Sequence, residues 1–319
     1  MPLIRYSSNG FPHLWGALLQ GDHDLDLSWS QMVWSAISVG RAELMHLVRH
    51  GAYSFFEIAY RSCILFANLR EGADRRIRRS SAYDGLDPSE KSAISYFLGL
   101  TMTKAFAEAR LSVPWLMHLD VYRHDLNVVL QGASRPDLVG ETANGAWVVM
   151  ESKGRTNGFS SRALSDAKTQ ARQILTIDGQ IPLFAVGLLT HFGGGALALA
   201  VEDPKSDNNG KQLRIPLDHE KLLRGYYRPF QVWLLEAPGA TDEVIGNVPY
   251  RIAALSDLDI RVGMATRLVQ TDDFSAVRPI REVGVSEENR YLGTDGLMVE
   301  VGPSWAEENM RLEPQERPG

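Results

Sequence analysis

From residue 87 onward the apolar positions switch repeatedly between a helical and an extended period. Asp87-Pro88-Ser89-Glu90 supplies an N-cap, a proline at the first helical position and an acid at the third. The pattern predicts a helix from there to about residue 111, ahead of Pro114. At 100° per residue, Ile94, Leu98, Thr101, Met102, Ala105 and Ala109 form one stripe, with Glu108 on its edge. A short extended segment ends at Pro136-Asp137, and Asn144-Gly145 signals a two-residue hairpin turn. Residues 147–150, Trp-Val-Val-Met, read as a buried strand that runs directly into Glu151, Ser152 and Lys153. A second amphipathic helix is predicted from 161 to about 176, its apolar face built from Ala163, Leu164, Ala167, Ala171, Ile174 and Leu175. Gln170 and Lys168 lie on opposite edges of that face, and Gln170 is the better placed of the helix's two glutamines to lean over the sheet. Residues 181–190 and 195–201 follow as strands, joined by a turn at 191–194.

The flanking segments carry weaker patterns. Residues 28–70 read as three helices, one of them over 41–50, with Trp29, Trp34, Phe55 and Phe56 as packing residues. After a polar loop at 202–212, a helix over 219–235 is expected to break at Arg228-Pro229. Short strands fill 240–302, including a hairpin around Thr294-Asp295-Gly296. The organisation expected is a helical N-terminal region (1–86), a core (87–236), a mixed, β-containing C-terminal extension (237–302) and a disordered tail (303–319).

Side chains alternate along a strand, so Glu151 and Lys153 share a face, and the hairpin brings Asp137 beside them. Two carboxylates and an ammonium at the end of a buried strand are costly unless they are paired or used. Such a group can also be a solvated ion-pair cluster worth at most about 1 kcal/mol. Pro136-Asp137 followed by Glu151-Ser152-Lys153 across a strand-turn-strand resembles the PD-(D/E)XK, or restriction-endonuclease-like, nuclease superfamily. The resemblance covers roughly residues 87–205 and implies an α/β fold with a mixed sheet flanked by helices. It also implies a metal-dependent nuclease that hydrolyses phosphodiester bonds of nucleic acid, with DNA as the expected substrate and prokaryotic restriction or phage defence as the expected setting. Asp137 and Glu151, with the Ser152 carbonyl and Glu108 from the preceding helix, are then expected to hold Mg²⁺, with Mn²⁺ as a substitute. Lys153 is expected to orient or deprotonate the attacking water, and Gln170 to lie near the substrate. The residue types suit the chemistry. A phosphodiester is a poor electrophile in a shell of charged oxygens, and hard cations that neutralise that charge prefer oxygen ligands. For Glu108 the other reading is a surface pair with Lys104, four residues away. For the whole chain it is a nuclease-fold subunit that binds nucleic acid or scaffolds a complex without cutting.

Composition sets outer limits. The 319 residues, 44% hydrophobic, suffice for a full core. A net charge of −6 argues against general polyanion binding, so local clusters matter more. Arg75, Arg76, Arg78 and Arg79 form one, and Arg155, Lys168 and Arg172 another; both are candidates for phosphate contacts, and the first run could equally pair with acids elsewhere. Cys63 is the only cysteine, expected to be buried, which excludes an intrachain disulfide and a Cys-based zinc site. The histidines show no ligand spacing. No apolar run approaches twenty residues and the first ten residues lack signal-peptide character, so a cytoplasmic protein without a membrane partner is expected. A homodimer or a separate partner protein stays open.

Overall fold

The structure, a computed structural model, describes residues 1–39, 53–119, 136–203, 213–280 and 287–305. The expected helix at 41–50, most of the polar loop at 202–212 and the chain from 306 onward lie outside the described residues. The N-terminal third contains β1 (Leu3–Asn9), β2 (Gly21–Asp26), α1 (Trp29–Ser38), α2 (Tyr53–Asn68), β3 (Leu69–Glu71), β4 (Ile77–Arg79) and α3 (Ser81–Gly85). The middle contains α4 (Pro88–Leu111), β5 (Trp115–His118), β6 (Leu138–Glu141), β7 (Trp147–Gly154), α5 (Ser161–Ala171), β8 (Ile174–Ile177), β9 (Phe184–Gly193), β10 (Ala196–Glu202) and β11 (Leu213–Ile215). The remainder is α6 (His219–Glu236), β12 (Thr241–Ile245), β13 (Val248–Leu255), β14 (Ile260–Ala265), α7 (Thr266–Val269), β15 (Arg290–Leu292) and β16 (Leu297–Val301).

The protein is a mixed α/β structure with a mixed sheet flanked by helices. Among the described residues the large sheet has nine strands in the order β2-β1-β10-β9-β7-β6-β5, with β3 and β4 attached at β10. Two pairs are parallel, β7 with β9 and β1 with β10; the others are antiparallel. The β7–β9 pair needs a crossover, and α5 supplies it. A second, antiparallel sheet, β12-β13-β14-β16-β15, lies at the C-terminal end. Helix α6 packs against strands of both sheets, α1 packs against α4 on one side and β15 and β16 on the other, and one hydrophobic core runs through all of them. Among the described residues no helix is long and apolar enough to cross a membrane.

Helix α4 begins and ends as its sequence predicts. The Asp87 carboxylate accepts the N–H groups of Ser89 and Glu90 at 2.6 and 3.2 Å, and Glu90 accepts the Asp87 N–H at 3.2 Å. From Leu98 to Ala107 the helix is buried on every side, because α1 covers one flank and the sheet another. Lys104 is therefore no surface partner of Glu108. The hairpin loop is one residue longer than expected: Thr142 donates its N–H to the Ala146 carbonyl at 2.8 Å, closing a loop of Ala143, Asn144 and Gly145, with Gly145 at φ 83°.

Several expectations need correction. The first 86 residues are not a helical region apart from the core, because β1 pairs with β10 inside the large sheet; Ile4, Tyr6 and Ser8 alternate inward along it. Helix α5 ends at Ala171, and β-prone Ile174-Leu175-Thr176-Ile177 pairs with β11 instead of extending it. Helix α6 continues through Pro229, whose cost of about 3 kcal/mol is offset by burial of Tyr226, Tyr227, Phe230, Trp233 and Leu234 around it. Trp29 and Trp34 are packing residues as expected, but Phe55, Phe56 and Cys63 are exposed. Trp305 is buried, its indole N–H donating to the Leu258 carbonyl at 2.9 Å, so residues 303–305 belong to the folded body.

A buried ionic cluster ties the two sheets together. The Lys104 ammonium donates to the Pro114 carbonyl and stands 4.5 and 5.0 Å from the ring centroids of Trp34 and Tyr226. Asp295, in the turn before β16, accepts from Trp34 Nε1 at 3.0 Å, Tyr226 OH at 2.6 Å and the Leu297 N–H at 3.0 Å. Burial pulls Lys104 down to about 8 against the opposing charges of Asp295 and Glu108. It pushes Asp295 up to about 6 against the opposing charge of Lys104. Asp295→Ala leaves the Trp34, Tyr226 and Leu297 donors without their acceptor and the buried Lys104 ammonium without the Asp295 counter-charge, so it is expected to cost about 3–5 kcal/mol. Asp295→Asn, which keeps an acceptor, should cost less. Urea unfolding midpoints measure both, and a loss under about 1 kcal/mol for the alanine variant would exclude this role.

Candidate active site

The register of three strands brings the expected trio together. Leu138 pairs with Met150 across β6 and β7, so Asp137, the residue just before β6, stands opposite Glu151. The Asp137 N–H donates to Glu151 Oε2 at 2.8 Å, and the Ser152 N–H donates to Asp137 Oδ2 at 3.3 Å. Lys153 Nζ donates to Glu151 Oε1 at 2.5 Å. Glu151 is 1% exposed, whereas Asp137 and Lys153 are half-buried. Burial, and next the Asp137 charge, push the Glu151 carboxyl up to about 7, opposed by Lys153. The arrangement has a dry carboxylate at its centre, a second carboxylate on one side and an ammonium open to solvent on the other.

The helices take opposite faces. Glu151 pairs with Gly187 of β9, and a Cβ on Gly187 would lie 2.8 Å from the Lys168 N atom, so α5 covers the face that carries Glu151. Ser152 and Gly154 face α4: a Cβ on Gly154 would lie 1.7 Å from the Ser95 carbonyl oxygen, and one on Gly99 would lie 3.0 Å from Ser152 Oγ. Glu108 therefore does not join the trio. It lies on α4, nine residues beyond Gly99 and roughly 13 Å further along the axis. There it accepts from Thr294 Oγ1 at 3.3 Å, beside the Lys104–Asp295 cluster.

Gln170 is also displaced. Lys168 is the α5 residue over Gly187, and Gln170, two positions on, points about 200° away from it. The Lys168 ammonium pairs with Glu202, which itself stands opposite Gly187. Asp137, Glu151, Gly187 and Glu202 thus form one row across the sheet, with Lys168 filling the gap that the glycine leaves. Sequence reasoning missed Glu202 and Gly187; a glycine inside the apolar strand Phe-Ala-Val-Gly-Leu-Leu was the available sign of close backbone approach. Beyond α5 on this face is a cavity of about 390 Å³, lined by Arg5, Ser7, Asn9, Phe159, His191 and Glu202 among others.

The arginine run is mostly spoken for. Arg75, Arg76 and Arg78 pair with Asp26, Asp24 and Asp74 at 3.0, 2.6 and 2.5 Å. They sit on or before β4, three strand positions from β7, or about 14 Å. Arg79 pairs with Asp84 at 3.3 Å and donates to the Thr156 carbonyl at 3.2 Å, close to the end of β7. Arg155 follows β7 directly and donates from Nε to the Gly158 carbonyl at 3.3 Å. Arg172 caps α5, near Asp203.

Among the described residues no three His, Cys, Asp or Glu side chains gather as a metal cluster. Asp137 and Glu151 fit a hard divalent cation in donor type and charge: two facing carboxylates, one of them held near neutrality by burial, are relieved by a cation. Two protein ligands leave further positions to water, backbone carbonyl or substrate.

Because the folded state binds the Glu151 proton more tightly than an ordinary carboxylate does, stability is full below about 4.5 and is lost as pH rises through about 7. Glu151→Gln has no such proton. In EDTA its melting temperature should match wild type near pH 5 and exceed it by several degrees near pH 8. A difference independent of pH would place the titration elsewhere. Comparison of the chain with family models, with curated proteins and with solved structures finds no match.

Proposed function

We propose that the protein is a metal-dependent nuclease with a restriction-endonuclease-like core. The observation that carries this is the direct opposition of Asp137 and Glu151 on neighbouring strands, with Lys153 bonded to Glu151 at the same end of the sheet. The order of elements supports it: α4, the β5-β6-β7 meander, the crossover helix α5 and then β9, parallel to β7. Asp137 and Glu151 are the residues that would hold Mg²⁺. When bound, that ion would polarise a phosphoryl oxygen and favour a hydroxide-like water.

The chain's own residues have separable tasks. Asp137 keeps its carboxylate at the rim through the Ser152 N–H. Glu151 is fixed by two donors, the Asp137 N–H and Lys153, so its orientation is set before substrate arrives. Lys153 spends one of its three N–H donors on Glu151 and turns the others to the open side, where a phosphate oxygen can accept them. Burial by α5 and by the sheet excludes water from all but that side. DNA is the substrate favoured by the resemblance.

The test is cleavage of labelled single- and double-stranded DNA and RNA in Mg²⁺, Mn²⁺ or EDTA. Metal-dependent cutting is expected, with Asp137→Asn and Lys153→Ala each slower by at least about 100-fold. Isothermal titration with Mn²⁺ runs alongside. Absence of both cutting and Mn²⁺ binding would replace this reading with that of a non-cleaving, nucleic-acid-binding or scaffolding subunit.

A further inference from the structure

The sheet face that carries Glu151 and Lys153 continues past α5, and strand register shows what lies on it. Lys153 stands beside Leu189 of β9, Leu189 beside Ala200 of β10, and Ala200 beside Ser7 of β1. In the next row His191 stands beside Ala198, and Ala198 beside Arg5. In the row on the other side Glu202 stands between Gly187 and Asn9. Residues paired across a sheet point to one side of it, so Ser7, Asn9, His191, Ala198 and Ala200 share the face of the trio. Arg155 does too, because its N–H donates to the Thr190 carbonyl at 2.9 Å and carries the β7 ladder past Gly154. On this face the cavity of about 390 Å³ has a low floor of Ala198, Ala200 and Ser7. Leu164 of α5 and Phe159, just before that helix, line it on the α5 side. Phe159 is 55% exposed and meets the His191 ring edge-on, with centroids 5.8 Å apart.

The charges of the cavity are already paired. Arg5 bonds Asp22 at 3.2 Å, and Glu202 bonds Lys168. Burial, and next the charge of Arg155, lower the pKa of His191, so its ring is neutral at pH 7. The polar groups of the cavity are not all paired. The Ser7 hydroxyl, the Asn9 amide and the His191 imidazole make no side-chain hydrogen bond among the described residues.

We propose that this cavity receives one unpaired nucleobase of the strand whose phosphate lies at Lys153, and so gives cleavage a base preference. This rests on the nuclease reading and adds a specificity pocket to it. The chemistry selects a base over other groups. A phosphate or a carboxylate finds no unpaired cation in the cavity. A purely apolar group would cut Ser7, Asn9 and His191 off from water without replacing it. A base is neutral and planar. Its faces suit two alanines and the Phe159 ring, and its edge offers donors and acceptors to a hydroxyl, an amide and an imidazole, each of which can both donate and accept. The position suits it as well, because Ala200 is two strand spacings from Lys153, or about 10 Å. A base stacked inside a duplex has to leave the stack to enter.

The experiment is isothermal titration of the full chain in EDTA with adenosine, cytidine, guanosine and thymidine 5′-monophosphate, and with ribose 5-phosphate, which lacks a base. One monophosphate should bind at least about tenfold more tightly than the others, and ribose 5-phosphate should not bind. Phe159→Ala should weaken binding about tenfold, and Phe159→Trp should restore it. Asn9→Ala should narrow the preference among bases, and Ala198→Phe, which fills the cavity, should abolish binding. Asn9 and Phe159 are exposed, so melting temperature should hold in their variants, and these decide the matter even if Ala198→Phe fails to fold. Hydrolysis of a small chromogenic phosphodiester in Mn²⁺ should be the same in all of them, because it carries no nucleobase. Absence of binding, equal affinity for every monophosphate and for ribose 5-phosphate, or binding untouched by these substitutions overturns the proposal. Hydrolysis of the chromogenic diester without base-dependent binding removes the pocket and leaves the nuclease reading. Base-dependent binding lost in the variants, with no hydrolysis, removes the nuclease reading and leaves the pocket as a base-binding site.

Discussion

A parallel pair of neighbouring strands cannot be closed by a hairpin, and in this protein the β7–β9 pair governs most of what surrounds the site. It demands the crossover helix α5, which packs on one face and leaves the other to α4. Its register sets Glu151 against Gly187, and the antiparallel register with β6 sets Glu151 against Asp137. A slip of one residue would turn Glu151 and Lys153 to the α4 face and put Ser152 in their place. The glycines absorb the close contacts this layout creates: Gly187 makes room for α5, and Gly154 and Gly99 let α4 lie close to the end of β7.

The protein buries charge in two places and treats it differently. Around Lys104 and Asp295 the charges are enclosed by Trp34, Tyr226 and Tyr227, with donors and acceptors supplied from four elements. That cluster joins the sheets and has no opening to solvent. Around Glu151 the enclosure is incomplete. Lys153 bonds Glu151, burial and the Asp137 charge push the Glu151 carboxyl up, and one side is open, so a cation arriving there would be stabilised. The contrast separates buried charge that is fully enclosed from buried charge that keeps one side open to solvent.

Much of the core was legible because its signals are local. The capping box of α4, the strand leading into Glu151-Ser152-Lys153 and the turn glycine at 145 depend on residues a few positions apart. The same signals sufficed to place Asp137, Glu151 and Lys153 side by side. What was not legible depends on distant partners. Glu108 looked available until the turn holding Thr294 was seen to claim it; Arg75, Arg76 and Arg78 looked free until Asp26, Asp24 and Asp74 met them. Phe55 and Phe56 have the composition of core residues, and only the packing of α2 shows that they face outward. Strand β5 is four residues long, too short for periodicity to reveal.

The place of β1 has a consequence for how the chain is made. Its partner is β10, so Arg5 waits for Ala198 and Asn9 for Glu202. At the usual pace of synthesis of about 5–20 residues per second, roughly 10–40 s pass between the emergence of the two strands. During that time the first strand has no parallel neighbour. The large sheet is thus sealed late, by a segment made long before its partner, and its contact order is high. A ribosome that stalls before residue 196 holds a meander with its trio already encoded and its β9 edge still uncovered.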